Sequence, residues 1–122
     1  MTTYGPYTPV RQAGNLLFVS GQIGINPNTK RAAVDIETQT QQALANLAAV
    51  LKEAGAGLGD VVKTTVFLAN MNDFAAMNAV YEKAFMAPRP ARSAVGVREL
   101  PRLSDAAKLL VEIEAVAHKA QS

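Results

Sequence analysis

One arginine and two glutamates in the C-terminal third are the residues whose type and setting could do chemistry. Arg92 opens the strand-like run Pro90-Ala91-Arg92-Ser93-Ala94-Val95-Gly96-Val97, where every later residue is small or β-branched. A guanidinium offers a planar fork of donors that fits a carboxylate through two parallel hydrogen bonds. The same side chain could instead close a structural ion pair at a rim, and the strand pattern alone favours that. Glu112 and Glu114 interrupt the apolar run Leu110-Val111-Glu112-Ile113-Glu114-Ala115-Val116-Ala117. Residues two apart on a strand share a face, so the two carboxylates stand side by side. Burying an unpaired charge is costly. Either one of them pairs with an arginine or faces water, or one sits in a partly dry cleft with a raised pKa and serves as a base.

Two weaker signals lie upstream. Asn78 falls four residues after Phe74 and three before Tyr81, on the same helical face. An amide there needs partners, and backbone groups of a neighbouring loop are the usual ones, ahead of a substrate. Tyr7 follows Gly5-Pro6 in an irregular stretch; it can pack, or its hydroxyl can donate to a ligand. His118 is the only histidine and sits near the end of the chain. It reads as a solvated side chain, which argues against a serine–histidine triad. There is no Gly-rich phosphate loop and no His/Cys/Asp cluster of metal-site type.

The elements that must position these residues fit one domain over residues 1–122. Hydrophobic residues make 49% and charged residues 18% of the chain, a globular balance and not a disordered one. The absence of cysteine excludes disulfides, thiolate metal sites and a cysteine nucleophile, and it fits a reducing cytoplasm. No run approaches the roughly 18–20 apolar residues of a membrane span. Met1-Thr2-Thr3-Tyr4-Gly5-Pro6 has neither the basic region nor the apolar run of a signal peptide. The net charge of +2 comes from scattered basic residues with no dense run, so nothing points strongly to nucleic acid.

Along the chain, Val10–Ala13 reads as a short strand and Gly14-Asn15 as a hairpin turn. Leu16-Leu17-Phe18-Val19-Ser20 reads as an apolar strand ending at Gly21, and Asn26-Pro27-Asn28-Thr29-Lys30 as a surface turn. Asp35 is the expected cap of a helix carrying Ile36, Thr40, Ala43, Leu44, Leu47, Leu51 and Ala54 on one face and stopped by Gly55. Val61-Val62-Lys63-Thr64-Thr65-Val66-Phe67-Leu68 is rich in β-branched residues and predicts a strand. Asn72 or Asp73 is the expected cap of a second helix with Phe74, Met77, Tyr81 and Phe85 inside, ended by Pro88 and Pro90. The two C-terminal strands follow. This order predicts an α+β fold, a mixed sheet with two helices on one face. The strands at 16–20, 61–69 and 109–117 are apolar in both registers, as strands buried on both sides are. With no third layer left in the chain, the second face is expected to meet another copy.

These pieces together resemble a known family. Gly5-Pro6-Tyr7, then Ala13-Gly14-Asn15-Leu16-Leu17-Phe18-Val19-Ser20-Gly21-Gln22-Ile23, is similar to the N-terminal signature of the RidA/YjgF imine deaminases. Asp60 to Leu68, Asn72-Asp73-Phe74, Asn78 and Tyr81-Glu82 match its middle; Pro90-Ala91-Arg92-Ser93 and Val111-Glu112-Ile113-Glu114-Ala115-Val116-Ala117 match its C-terminal signature. The resemblance covers nearly the whole chain, in order. It implies a homotrimer of the chorismate-mutase-like fold, with a six-stranded mixed sheet and clefts between subunits. It implies cofactor-free hydrolysis of 2-imino acids or their enamine tautomers, such as 2-aminoacrylate, 2-iminopropanoate and 2-iminobutanoate, to 2-keto acids and ammonia. Such species escape from pyridoxal-phosphate enzymes, which their removal protects. By the same resemblance Arg92 binds the substrate carboxylate and Glu112 positions the attacking water. Tyr7 and Asn78 match ligand contacts, and backbone amides of Gly21 and Ala94 meet the ligand. With that frame the reading of Arg92 turns from ion pair to anion anchor.

The chain also departs from the family pattern. Ala94 stands where many relatives have cysteine, Thr8-Pro9 replaces a more usual Ser-Gln, and the stretch from Pro101 to Glu112 is several residues longer. Gly96 occupies a position that is usually larger. Two other functions compete with the enzyme. One is a small-carboxylate binding module without turnover, which the presence of Glu112 disfavours. The other is an RNA-directed or chaperone-like role, which 6% aromatic content and scattered charge support little.

Overall fold

The structure, a computed structural model, describes residues 3–103 and 108–120. Strands β1 (Val10–Ala13) and β2 (Leu16–Ile23) form the hairpin the sequence predicts, with Ala13 opposite Leu16. Gly14 takes φ +60 at the first turn position, where a two-residue hairpin of this hand favours glycine. Helix α1 (Ile36–Glu53) begins at Asp35, whose carboxylate accepts the Thr38 N–H at 2.8 Å. It ends where Gly55 adopts φ +83. Strand β3 (Val61–Leu68), helix α2 (Phe74–Ala84) and strand β4 (Ala91–Gly96) form one crossover unit, and β5 (Val111–His118) closes the sheet.

The sheet order is β1-β2-β5-β3-β4. Among neighbouring strands only β3 and β4 are parallel, and the crossover such a pair needs runs through α2. The last strand in sequence therefore lies at the centre. Both helices cover one face, and the core between the layers includes Leu47, Leu51, Met77, Phe85 and Ile113, all nearly or fully buried. Truncating any of the large ones to alanine costs about 2–5 kcal/mol. The opposite face carries Leu16, Phe18, Phe67, Val95 and Val116 beside Lys63, Thr65, Glu112 and Glu114, with no second layer over it among the described residues. Phe18 is 46% and Val95 43% exposed on this face. No described helix is long and apolar enough to cross a membrane.

Two expectations are corrected. The sheet has five strands among the described residues and not six. The segment after β2 makes only a single bridge, Ile25 to Ala32, because the Asn26–Lys30 turn with its proline and a left-handed Lys30 (φ 62) leaves no length to pair. Strand β2 does not stop at Gly21. It bulges there, two residues (Ser20 and Gly21) facing the single Glu114, and resumes to Ile23. Asp73 is the N-cap of α2, as expected, without a side-chain bond; Asn70 caps the short turn Met71–Asp73 before it, accepting the Asn72 N–H at 2.9 Å.

One clamp had no signal in the sequence. Gln39 on α1 is fully buried; its amide donates to the carbonyls of Ala33 (2.7 Å) and Lys108 (2.8 Å), and its Oε1 accepts the Leu110 N–H (2.8 Å). It fixes the entry to β5. A Cβ at Gly96 would stand 2.8 Å from Met71 Cγ, so a larger residue there would displace the Met71 side chain.

Candidate active site

Arg92 lies on the helix side of the edge strand β4, directly opposite Thr64 of β3. Its Nη1 donates to Asn78 Oδ1 at 2.7 Å. Its Cζ stands 4.8 Å from the Tyr81 ring centroid and 5.5 Å from that of Phe74, both within cation–π range. No carboxylate among the described residues lies within ion-pair distance, so the rim ion pair does not form there. The guanidinium is held on two sides, and its Nε/Nη2 edge has no hydrogen-bond partner among the described residues. Asn78 thus spends its carbonyl on Arg92 and not on loop backbone. Two positions along β4, Ala94 shares this side. The Val97 N–H bonds the Leu68 carbonyl. By strand alternation the N–H groups of Arg92 and Ala94 then face the free sheet edge.

Glu112 sits at the centre of the sheet on the other face, opposite Ile23 on β2 and Phe67 on β3. It is half-buried and makes no ion pair with a described residue. Burial first, and the neighbouring Glu114 second, push its pKa above the ordinary glutamate value of 4.5. Glu114 shares the face and is exposed. A cleft of about 380 Å³ opens over Glu112, bounded by Tyr4, Tyr7, Ser20, Gly21, Ile23, Pro101 and Leu103. The bulge makes this room: a Cβ on Gly21 would come within 2.7 Å of the Glu112 carboxyl carbon. Tyr7 is on the rim, 43% exposed, its hydroxyl accepting the Tyr4 N–H at 3.2 Å.

The candidates therefore fall into two groups. Tyr7, Gly21 and Glu112 gather at one cleft on the open face; Asn78, Arg92 and Ala94 gather at the β4 edge on the helix side. One chain does not bring the groups together. His118 is exposed at the end of β5, outside both. Among the described residues no cluster of His, Cys, Asp and Glu could hold a metal. Part of the longer stretch after Pro101, residues 104–107, lies outside the described residues.

The sequence model of the family described as Endoribonuclease L-PSP matches residues 1–119. The chain belongs to the RidA/YjgF family. Among its RidA/YjgF relatives, a RutC family protein of Pyrococcus horikoshii is 49% identical over 94% of this chain and 88% of its own. A 2-iminobutanoate/2-iminopropanoate deaminase of Escherichia coli is 44% identical over 93% of this chain and 87% of its own. The crystal structure of E. coli TdcF with bound serine superposes with a TM-score of 0.89 at 37% identity, covering 97% of this chain and 91% of that one. The α+β architecture with two helices on a mixed sheet is thus that of RidA/YjgF structures. Within this RidA/YjgF frame, sequence reasoning missed the cage of Arg92 by Phe74 and Tyr81 and the bulge that seats Glu112. The helical spacing of Phe74, Asn78 and Tyr81 was the available signal for the first; the Ser20-Gly21 step was the signal for the second.

Proposed function

We propose that the protein hydrolyses 2-imino acids, or their enamine tautomers, to 2-keto acids and ammonia without a cofactor, in clefts shared by neighbouring copies of a homotrimer. One observation carries the reading: Arg92 is immobilised by Asn78 and two rings, yet meets no described carboxylate and keeps a donor edge free. A guanidinium so prepared suits a small carboxylate ligand. The deaminase name of a 44% identical relative and the serine bound to TdcF, itself a small amino acid, support the same substrate class. The uncovered apolar face supports assembly, and assembly supports a site built from both groups, Tyr7, Gly21 and Glu112 from one copy and Asn78, Arg92 and Ala94 from its neighbour.

The chemistry needs little more. The substrate carboxylate takes the Nε/Nη2 edge of Arg92 and the Ala94 N–H, which fixes the iminium carbon near water. Glu112 removes one proton from that water as its oxygen bonds to the carbon, and the C=N electron pair moves to nitrogen. The carbinolamine nitrogen receives the proton back from Glu112. The hydroxyl then gives its proton to the re-ionised Glu112, C=O forms, the C–N bond breaks with its electron pair going to nitrogen, and the departing ammonia takes that proton from Glu112 and leaves as ammonium. A carboxylate whose pKa is raised toward neutrality suits both the removal and the return. The reading places the protein in the cytoplasm, where pyridoxal-phosphate enzymes release such imines.

The test generates 2-iminopropanoate with an amino-acid oxidase and follows its decay with and without the protein. Decay faster than the spontaneous rate, with pyruvate and ammonia formed in equal amounts, is expected. Thermal stabilisation by pyruvate without any acceleration would instead make this a binding module.

A further inference from the structure

We infer that Tyr81 and Thr64 are positioning residues for Arg92, a buried hydroxyl pair that sets the plane of the anion anchor; the inference rests on the function proposed above. The Tyr81 hydroxyl and Thr64 Oγ1 lie 2.6 Å apart, and both residues are buried. Thr64 is the residue directly opposite Arg92 in the parallel register. The Tyr81 ring is held at its hydroxyl by Thr64 and packs against Phe85, with centroids 4.6 Å apart and planes tilted by 40°. The Arg92 guanidinium lies over that fixed ring, while Asn78, one helical turn before Tyr81, takes a hydrogen of Nη1. Stacking restrains the guanidinium against tipping, and the single hydrogen bond restrains its rotation in plane. Together they aim the free edge at one place.

Packing alone does not call for this pair. Phenylalanine and valine of the same shape would fill the space, and replacing both partners of a buried hydrogen bond by apolar groups is close to neutral for stability. A tyrosine and a threonine here are explained by orientation of the ring beneath Arg92. A carboxylate gripped at a distance from the reacting carbon contributes mainly to binding, so loosening its anchor acts first on KM.

The test compares Tyr81→Phe, Thr64→Val, the double variant and Tyr81→Leu with the wild type as full chains. It measures Tm, KM and kcat for 2-iminopropanoate, and the Kd of pyruvate. Each single polar deletion strands one buried hydroxyl and lowers Tm; the double variant strands neither and regains it. All are expected to raise KM and the pyruvate Kd about three- to tenfold, Tyr81→Leu most because the ring is lost, with a smaller fall in kcat. KM and pyruvate Kd returning to wild-type values in the double variant, as its Tm does, would show that the pair only holds the core together and would overturn the inference. Should Tyr81→Leu fail to fold, the double variant still decides. Absence of turnover in the wild type sinks the proposed function, whereas normal turnover with unaltered KM in the double variant sinks only the positioning role.

Discussion

Arg92 and Glu112 project from opposite faces of the same sheet, with strand β3 between their strands. Arg92 faces the helices beside Thr64, and Glu112 faces away from them beside Phe67. A substrate anchored by one cannot be hydrated by the other in a single chain. The face that bears Glu112 also carries the exposed apolar residues and has no second layer among the described residues, and β4, which bears Arg92, is an edge strand among them. Both halves of the proposed site thus border surfaces that a second copy can meet.

Arg92→Ala is expected to lower kcat/KM about a hundredfold or more, because two charge-assisted hydrogen bonds to the carboxylate are lost. Arg92→Lys should recover little of this: an ammonium has no fork and stacks poorly on Phe74 and Tyr81. Kinetics on 2-iminopropanoate generated in the cuvette, corrected for spontaneous hydrolysis, measure both. Wild-type rates in the lysine variant would show that charge alone suffices.

As the proposed base, Glu112 would act only when ionised, so kcat/KM should rise with pH along a limb centred above the ordinary glutamate value of 4.5. Glu112→Gln should abolish that limb and cut kcat by about 10²- to 10⁴-fold. The same shift has a stability consequence. The folded pKa is raised, so the folded chain holds the proton more tightly than the unfolded one, and ionisation costs stability. That cost is absent well below pH 4.5 and develops as pH rises through the folded pKa. Glu112→Gln should therefore match the wild type in Tm at acid pH and equal or exceed it at neutral pH. A variant less stable at neutral pH than at acid pH, relative to wild type, would contradict the assigned environment.

Gly21→Ala places a methyl group against the Glu112 carboxyl. The carboxyl is the far end of a flexible side chain, so it can turn aside at little cost to the fold. The expected result is a Tm near wild type and a fall in kcat of about tenfold or more, since small misplacements of a reacting group are costly. Loss of Tm with retained kcat would show that the close approach is only packing.

Gln39→Leu keeps a buried side chain of similar volume but leaves the Ala33 and Lys108 carbonyls and the Leu110 N–H without their partner. Chemical denaturation should show a loss of about 2–4 kcal/mol, the range for stranding buried polar groups. An unchanged midpoint would mean water replaces the amide.

Much of this was legible before any coordinates. The β-branched run at 61–68, the Asp35 cap and the Gly14-Asn15 turn are set by local chemistry, and each appears where its residues ask for it. Arg92, Asn78 and Glu112 could be singled out one by one, because each is a polar group in an apolar setting. Their mutual arrangement could not. The bond from Arg92 to Asn78 joins a strand to a helix across 14 residues, and its existence depends on how α2 packs over β4. The facing of Arg92 relative to Glu112 depends on two separate registers, each counted from β3. The bulge at Gly21 shifts the pattern of β2 within the strand, which a two-residue period cannot announce. The short turn Met71–Asp73 before α2, capped by Asn70, was not read from the sequence, because composition alone does not separate its residues from the start of the helix.

The most direct measurement mixes two variants that are each expected to be severely impaired. Arg92→Ala keeps Glu112, and Glu112→Gln keeps Arg92. Co-expressed or unfolded and refolded together in equal amounts, they should form some clefts with an intact arginine from one copy and an intact glutamate from the next. Random assembly makes about a quarter of the clefts complete, so activity should return to about a quarter of the wild-type level. Activity no greater than that of the separate variants, in a mixture shown to have exchanged chains, would contradict a site built from two copies.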